Sequence, residues 1–176
     1  MSAGEVRAPN ADARSRMGRP ARFFHLDHLR RLRGSEQVAA VCYRVRKSGI
    51  EFLLVETRNG CWTFPKGSAE PGITHAQAAA LEAFEEAGVH GRMEETAFMQ
   101  YVRCKRSERI DVVVNVHLCE VLWLDRPQEE GRNPTWFPPG KATRKLRSGR
   151  GVEHGVQLAD VLAQALRRIQ ESLKLR

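Results

Sequence analysis

Three glutamates, Glu82, Glu85 and Glu86, interrupt the alanine-rich run AAALEAFEEAGV in residues 78–89. At about 100° per helical residue, their carboxylates fall within an arc of about 100°. Like charges three or four residues apart cost an isolated helix roughly 0.2–0.5 kcal/mol per pair. No Lys or Arg lies between residues 67 and 91 to offset that cost. A cluster of carboxylates is what a hard divalent cation such as Mg²⁺ binds, together with phosphate and water. The alternative is a solvated acidic surface.

The residues around the glutamates predict a helix with defined ends. Thr74, with Gln77 three positions later, forms a capping-box pattern, and Gly88 has the position of a C′ glycine. On the same helical wheel the apolar residues lie opposite the acids, so we expect the helix to bury that face and to expose the glutamates. The apolar face consists of Ala76, Ala80, Ala83, Phe84 and Ala87.

The spacing of these residues resembles the signature of the Nudix hydrolases, G-x5-E-x7-R-E-U-x-E-E-x-G-U, where U is a bulky aliphatic residue. The matching positions are Gly67, Glu82, Glu85, Glu86, Gly88 and Val89. Because glycine and glutamate are each roughly 7% of residues, five fixed positions match by chance about once in 10⁶ starts. The resemblance implies an α+β fold (α/β/α layered), with a mixed β-sheet between helices. It also implies hydrolysis of a phosphoanhydride bond with Mg²⁺, or with Mn²⁺ in its place. The metal ligands and catalytic residues would be Glu82, Glu85 and Glu86.

Two positions depart from that signature. Ile73 stands where the pattern has glutamate, and Leu81 stands where it has arginine. Loss of one charged partner would strand the other, whereas loss of both can be nearly neutral. We therefore interpret Ile73 and Leu81 as an altered brace of the loop beside an intact metal site. The alternative is a Nudix-like module that binds a ligand without catalysis, and the retained glutamates favour the enzyme over it.

The segments WTFPKG and RNPTWF resemble the branch of the family that hydrolyses diphosphoinositol polyphosphates and diadenosine polyphosphates. We therefore expect a phosphate-rich small-molecule substrate, whose oxygens basic side chains bind by charge-assisted hydrogen bonds. A solubilising surface is the alternative for each basic residue. A second basic run lies between residues 141 and 150, and the Gly-rich stretch 148–155 is assigned no role. The predicted substrate-binding residues are Lys66, Gly67, Arg103, Lys105, Arg106 and Arg132.

The general base stays open between the helix glutamates and a polar loop at residues 126–133. In that loop Glu129 and Glu130 are the candidates, with a solvated surface charge as the alternative for both. Trp62 and Trp136 are interpreted as core aromatics, and stacking on a nucleobase is the alternative.

The rest of the chain supplies the elements that must hold this helix. Apolar and alternating runs predict strands at residues 37–45, 51–56, 97–104 and 109–124. Apolar residues at i, i+3, i+4 and i+7 predict an amphipathic helix in residues 158–173. Strands combined with these helices indicate one α+β domain. We assign it to residues 35–176, after a basic and partly flexible extension at residues 1–34.

The net charge of +8 is concentrated at the two ends of the chain. Residues 1–34 hold eight Arg and three acids, which gives +5, and residues 139–176 hold nine Lys or Arg and three acids, which gives +6. The middle is left with −3, which suits a cation site with a polyanionic partner. A nucleic acid is a second interpretation of the basic ends, but no aromatic RNA-binding motif accompanies them. The oligomeric state does not follow from the sequence.

Composition argues against several other classes of protein. No apolar run approaches the ~18–20 residues of a membrane span, and the first residues lack the apolar segment of a signal peptide. We therefore expect a cytoplasmic protein without a membrane partner. Four cysteines without close ligand spacing are interpreted as buried free thiols. His25 and His28 have no neighbouring ligands that would suggest zinc.

Overall fold

The chain folds around one mixed sheet in the computed structural model. The description covers residues 36–105 and 110–175, and for residues 104, 105 and 110 it covers the backbone alone. The strands are β1 (Glu36–Arg46), β2 (Gly49–Glu56), β3 (Trp62–Thr63), β4 (Lys66–Ser68), β5 (Val89–Met93), β6 (Met99–Lys105), β7 (Ile110–Leu124) and β8 (Thr135–Phe137). The helices are α1 (His75–Ala87), α2 (Pro139–Arg147) and α3 (Val152–Lys174). This content confirms the predicted α+β class.

Two strands that are far apart in sequence form the centre of the sheet. β1 and β7 pair in parallel, with Val38 opposite Asn115 and Cys42 opposite Cys119. The path through the sheet is β3-β2-β1-β7-β5, with β4 beside β1, β6 beside β7 and β8 beside β2. Because Gly67 of β4 is the partner of Val38, the segment that leads into α1 is attached to the middle of the sheet.

Helices cover both faces of this sheet. On one face α2 and α3 pack on β1, β2 and β7 and enclose the larger apolar cluster, which includes Phe52, Leu146 and Leu162. On the other face α1 packs through its alanines, and Ala79 and Ala83 are fully buried. Small side chains let the helix approach the sheet closely, so the glutamates next to them are held near the strands. The layered arrangement is the predicted one.

Five elements are missing from the sequence-based prediction: β3, which has only two residues, and β4, β5, β8 and α2. The strands are short, and KGS, VHGRM and TWF show no alternation of apolar and polar residues. α2 (PGKATRKLR) combines Pro and Gly with a basic surface and buries little more than Ala142 and Leu146. The closing helix begins at Val152 rather than at residue 158. Leu173, the last residue of the apolar pattern that predicts this helix, is 39% exposed, since it lies in the last turn, beyond the buried Ile169.

Some predictions fall outside the described residues, namely the extension at residues 1–34 with His25 and His28, and the substrate-binding residue Arg106. Cys42, Cys61 and Cys119 are free thiols as predicted, but Cys61 is only half-buried. Within the described part of the chain, no helix has the length and apolarity that crossing a membrane requires.

Candidate active site

Helix α1 begins and ends where the sequence predicts. The Thr74 side chain accepts a hydrogen bond from Gln77 N at 3.2 Å, and the Gln77 side chain accepts one from Thr74 N at 2.9 Å. At the other end Gly88 has a φ of +66°. A Cβ on Gly88 would lie 2.0 Å from the carbonyl oxygen of Asp125, so the chain passes this point only with glycine.

The prediction that all three glutamates face solvent is wrong for Glu86. This residue is 2% exposed and lies on the buried side of α1 with Ala83 and Ala87, whereas Glu82 and Glu85 are half-buried. On the helical wheel, the centre of the buried residues lies about 65° closer to the acids than the centre of the predicted apolar face. The difference has a chemical cause, because Glu86 meets donors that make a buried carboxylate tolerable.

Those donors are a guanidinium and a backbone amide. Arg132 Nη2 lies 2.7 Å from Glu86 Oε1, and the Lys66 backbone N donates to Oε2 at 3.3 Å. Burial raises the pKa of Glu86 to about 7, and the positive charges of Arg132 and Lys66 oppose that shift. Both oxygens of the carboxylate are therefore engaged by the protein itself.

Gly67 provides the room for the Glu82 carboxylate. A Cβ on Gly67 would lie 1.7 Å from Glu82 Oε1 and 2.0 Å from Cδ, so no side chain fits here unless the carboxylate moves. Burial raises the pKa of Glu82, and the negative charges of Glu85 and Glu129 raise it further. The signature glycine and the first signature glutamate are thus in direct contact.

The loop that follows β7 is attached to the C-terminal end of α1. The backbone N–H groups of Gln128 and Glu129 both donate to the Glu85 carbonyl oxygen at 2.9 Å. Glu129 Oε2 in turn accepts a hydrogen bond from Arg132 Nε at 2.7 Å. Both loop carboxylates considered as a base are exposed, but Glu129 is the one bound to Arg132, which contacts Glu86.

The chemistry of this donor set fits a hard divalent cation. Glu82, Glu85, Glu86 and Glu129 offer carboxylate oxygens; burial raises the pKa of Glu82 most, and the negative charges of Glu85 and Glu129, which a cation would neutralise, raise it further. In the part of the chain that the structure describes, no group of three or more acidic, histidine or cysteine side chains is arranged closely enough to hold a metal ion. Ligation would require these carboxylates to turn toward one another, and their role as metal ligands stays a prediction.

A basic cavity of about 430 Å³ lies beside β3 and β4. Four cationic side chains line it, and no acidic side chain among the described residues does. The cations are Arg58, Lys66, Arg103 and Arg150, and the remaining wall is Thr57, Asn59, Cys61, Thr63 and His154. Such a wall favours an anionic ligand.

Three buried polar atoms in or near the cavity wall have no hydrogen-bond partner among the described residues. Within the part of the chain that the structure describes, Thr63 Oγ1 has no partner although the residue is 2% exposed, and Arg150 Nε has none although Arg150 Nη2 donates to the Trp62 carbonyl. Tyr101 lies behind the wall, with its ring centre 6.3 Å from that of His154, and its hydroxyl has no partner among the described residues either. Burial raises the pKa of Tyr101 to about 12, so the hydroxyl remains a donor. Since buried polar atoms are costly without partners, these atoms suit a polar ligand or ordered water.

Lys66 connects the cavity with the glutamate helix. Its side chain lines the cavity, while its backbone N binds Glu86. Burial lowers the pKa of Lys66, the charge of Arg103 acts in the same direction, and Glu86 opposes both. A ligand in the cavity would therefore lie next to the carboxylates.

The predicted substrate-binding residues occupy different places. Lys66 and Arg103 line the cavity, and Gly67 contacts Glu82. Arg132 forms ion pairs with Glu86 and Glu129 and does not line the cavity. The side chain of Lys105 is outside the description, as is Arg106.

Sequence reasoning missed Arg150 and His154, which line the cavity from the stretch that was assigned no role. Arg150 is the last residue of the basic run between residues 141 and 150, but its approach to Trp62 depends on how α3 crosses the sheet. Burial lowers the pKa of His154, which keeps the imidazole neutral at pH 7.

Trp62 and Trp136 are half-buried, in agreement with the interpretation as core aromatics. Trp62 packs edge-on against Phe137 at 5.0 Å, and the Arg44 guanidinium lies 4.1 Å from the centre of the Trp136 ring. Ile73 and Leu81 are 40% and 41% exposed, and neither belongs to the two described core clusters. Their action as a brace stays a prediction.

The fold is a mixed sheet between helices, and at the site Gly67 contacts Glu82, the first of the three signature glutamates. Comparison with known proteins identifies the class to which this fold and this site belong. The family model of the NUDIX domain matches residues 35–154. The chain belongs to this family.

Among curated relatives, the asymmetrical bis(5'-nucleosyl)-tetraphosphatase of Sus scrofa is 48% identical over 48 residues, which is 26% of this chain and 33% of the relative. The match thus spans about one third of that relative's length. Two solved structures share the fold. An Ap4A hydrolase of C. elegans in a binary complex has a TM-score of 0.62 and 20% identity, over 78% of this chain and 98% of that one. The NUDIX domain of Shewanella oneidensis NrtR with ADP ribose has a TM-score of 0.59 and 19% identity, over 76% and 87%.

Proposed function

We propose that this chain is a metal-dependent pyrophosphohydrolase that cleaves a phosphoanhydride bond in a highly phosphorylated small molecule. A diphosphoinositol polyphosphate or a dinucleoside polyphosphate has the required chemistry. The observation that carries the proposal is the basic cavity next to the glutamate helix, with Lys66 between them. The names of the pig relative and of the nematode structure support the same kind of substrate.

Glu82, Glu85 and Glu86 are the proposed ligands of Mg²⁺, for which Mn²⁺ would substitute. When bound, the cation would neutralise phosphate charge and lower the pKa of a water molecule. The chain itself must still position the substrate and accept a proton from water. Glu129 is the proposed acceptor from the loop, since its Oε2 is fixed by Arg132, and the helix glutamates are the alternative.

The cavity would hold the phosphate groups that do not react. Lys66, Arg103 and Arg150 supply positive charge, and Thr63 supplies a hydroxyl donor that has no other partner among the described residues. These contacts act on substrate and transition state alike, so they contribute to binding more than to the chemical step.

The test is hydrolysis by the full chain with Mg²⁺ across a panel of inositol pyrophosphates, diadenosine polyphosphates, ADP-ribose, nucleoside triphosphates and capped RNA. Arg103→Gln should raise KM about tenfold to a hundredfold for the most phosphorylated substrate, as expected for a lost charge-assisted hydrogen bond. Because the contact is made in both ground and transition states, kcat should change little.

The matched control is Arg144→Gln, which makes the same charge change on the exposed side of α2, away from the cavity. Equal KM values in both variants across the panel would mean that Arg103 acts only as a surface charge. Absence of turnover on every substrate would contradict the proposal as a whole.

The second candidate function is ligand binding without catalysis. It is favoured by one observation, the replacement of the signature glutamate and arginine by Ile73 and Leu81. In that case the panel would show saturable binding of a phosphorylated ligand without release of phosphate.

Three further statements belong to the proposal. A cytoplasmic location agrees with the composition, a nucleic-acid partner is not favoured, and no membrane partner is expected. RNA titration at two salt concentrations tests the nucleic acid, because phosphate contacts predict a steep loss of affinity with salt.

A further inference from the structure

Arg132 occupies the carboxylate that the proposed function assigns to a metal ion. Its Nη2 lies 2.7 Å from Glu86 Oε1, and the other oxygen of Glu86 accepts a hydrogen bond from Lys66 N. A cation that binds Glu86 Oε1 must therefore replace the guanidinium. A carboxylate that is only 2% exposed is stable as an anion only when a positive charge is paired with it, so the ionised form of Glu86 needs either the guanidinium or a metal ion.

The arginine is held from a second side, independently of Glu86. Arg132 Nε donates to Glu129 Oε2 at 2.7 Å, and its carbonyl oxygen accepts a hydrogen bond from Glu56 N at 2.6 Å. The same loop is bound to the Glu85 carbonyl by two amides. If Glu86 is taken by a cation, the guanidinium thus stays at the site, and its Nη2 becomes free to donate.

We propose that Arg132 is an exchangeable counterion: it neutralises Glu86 until the metal ion binds there, and its released Nη2 then donates to a phosphate group of the substrate. This inference rests on the proposed function. Arginine suits both positions because its planar fork binds carboxylate and phosphate oxygens equally well. The exchange would couple the two binding events, and such coupling is reciprocal: the metal ion strengthens phosphate binding, and phosphate strengthens metal binding.

The first experiment measures Mn²⁺ binding by electron paramagnetic resonance of the free ion, on the full chain and on Arg132→Gln. Removal of the competing cation should tighten Mn²⁺ binding about tenfold, which corresponds to roughly one charge-assisted hydrogen bond. Arg126→Gln is the matched control, since Arg126 is exposed on the same loop and the variant makes the same charge change. Its Mn²⁺ affinity should stay within about twofold of the wild-type value, the size of a screened surface charge effect.

The second experiment measures the affinity for methylenediphosphonate, a diphosphate that cannot be hydrolysed, with and without Mg²⁺. In the wild type Mg²⁺ should tighten this binding by a larger factor than in Arg132→Gln, because the variant keeps the metal–phosphonate contact and lacks the arginine. An equal factor in both proteins would overturn the coupling.

The outcomes separate the two proposals. If no variant binds Mn²⁺, the metal-dependent function fails. If Mn²⁺ binds the wild type and Arg132→Gln equally well, the function stands and the exchange is wrong. If Arg132→Gln unfolds without metal, the test uses the wild type alone. The NMR resonance of Arg132 Nε–H, assigned by its loss in Arg132→Lys, must then shift as Mg²⁺ saturates the site. A constant resonance overturns the exchange.

Discussion

Replacing Gly67 by alanine would place a methyl group in the volume that the Glu82 carboxylate now fills. The Cβ would lie 1.7 Å from Oε1 and 2.0 Å from Cδ of Glu82, whereas non-bonded heavy atoms prefer a separation of about 3.5 Å. The carboxylate must therefore move by about 1.5–2 Å. Gly67 is not among the glycines with positive φ, so alanine can adopt the backbone conformation without strain.

The displacement should reduce activity far more than stability. The group that moves is the end of a flexible side chain, and the pairing of β4 with β1 involves only the backbone. We expect a cost of at most about 1 kcal/mol in the free energy of unfolding. Misplacement of a catalytic group by about 1 Å can cost 10²-fold, so kcat should fall by about 10² or more.

The assay combines steady-state hydrolysis at saturating Mg²⁺ with urea unfolding followed by circular dichroism. Gly140→Ala is the control, because the atom nearest to its Cβ would be Arg144 Nη1 at 3.9 Å. This variant should keep full turnover and gain up to about 1 kcal/mol of stability from a less flexible unfolded chain. Misplacement of a catalytic group is expected to lower kcat by about 10². If the kcat of Gly67→Ala stayed within about threefold of the wild-type value, the contact between Gly67 and Glu82 would therefore not be needed for catalysis.

Three further predictions concern α1 and its surroundings. Glu86→Gln should leave the protein folded in Mg²⁺ and lower kcat by about 10²–10³, and near-normal turnover would exclude Glu86 as a ligand. In EDTA the wild type should gain stability relative to Glu86→Gln as the pH falls from 8 to 5. The reason is that burial raises the pKa of Glu86 to about 7, so the folded state binds the proton more tightly than the unfolded state does. A difference in the free energy of urea unfolding that does not change with pH would contradict this. Ile73→Glu and Leu81→Arg should each reduce stability or turnover, and the double variant should recover part of the loss, with a coupling of roughly 0.5–3 kcal/mol. Additive effects would show that the two residues do not act as a brace.

The local parts of the site could be predicted because local sequence determines them. Thr74, Gln77 and Gly88 define the ends of α1 through contacts within a few residues, and the spacing of the glutamates follows from the helix itself. The burial of Glu86 could not be predicted in this way. It depends on Arg132, which approaches from a loop 46 positions later in the sequence (132 − 86).

The cavity shows the same limit. Its wall joins residues from β3, β4, β6 and the beginning of α3, and the contacts of Cys61 with Gly149 and of Trp62 with Arg150 both span 88 positions. A pattern in the Gly-rich stretch alone cannot reveal such contacts. The short strands β4 and β8 exist for a related reason, since they form by pairing with β1 and β2 rather than through their own propensity.

Helix α3 continues for twenty residues past position 154, where the match to the NUDIX domain ends (174 − 154). This continuation contains Leu158, Val161, Leu162 and Ile169, each at most 1% exposed. Burial of four such side chains contributes about 6–12 kcal/mol, which is comparable to the entire net stability of a typical domain. The boundary by which relatives are recognised therefore differs from the boundary of the cooperative folding unit. A fragment that ended at residue 154 would carry every residue of the cavity wall, yet it would leave one face of the sheet open to solvent.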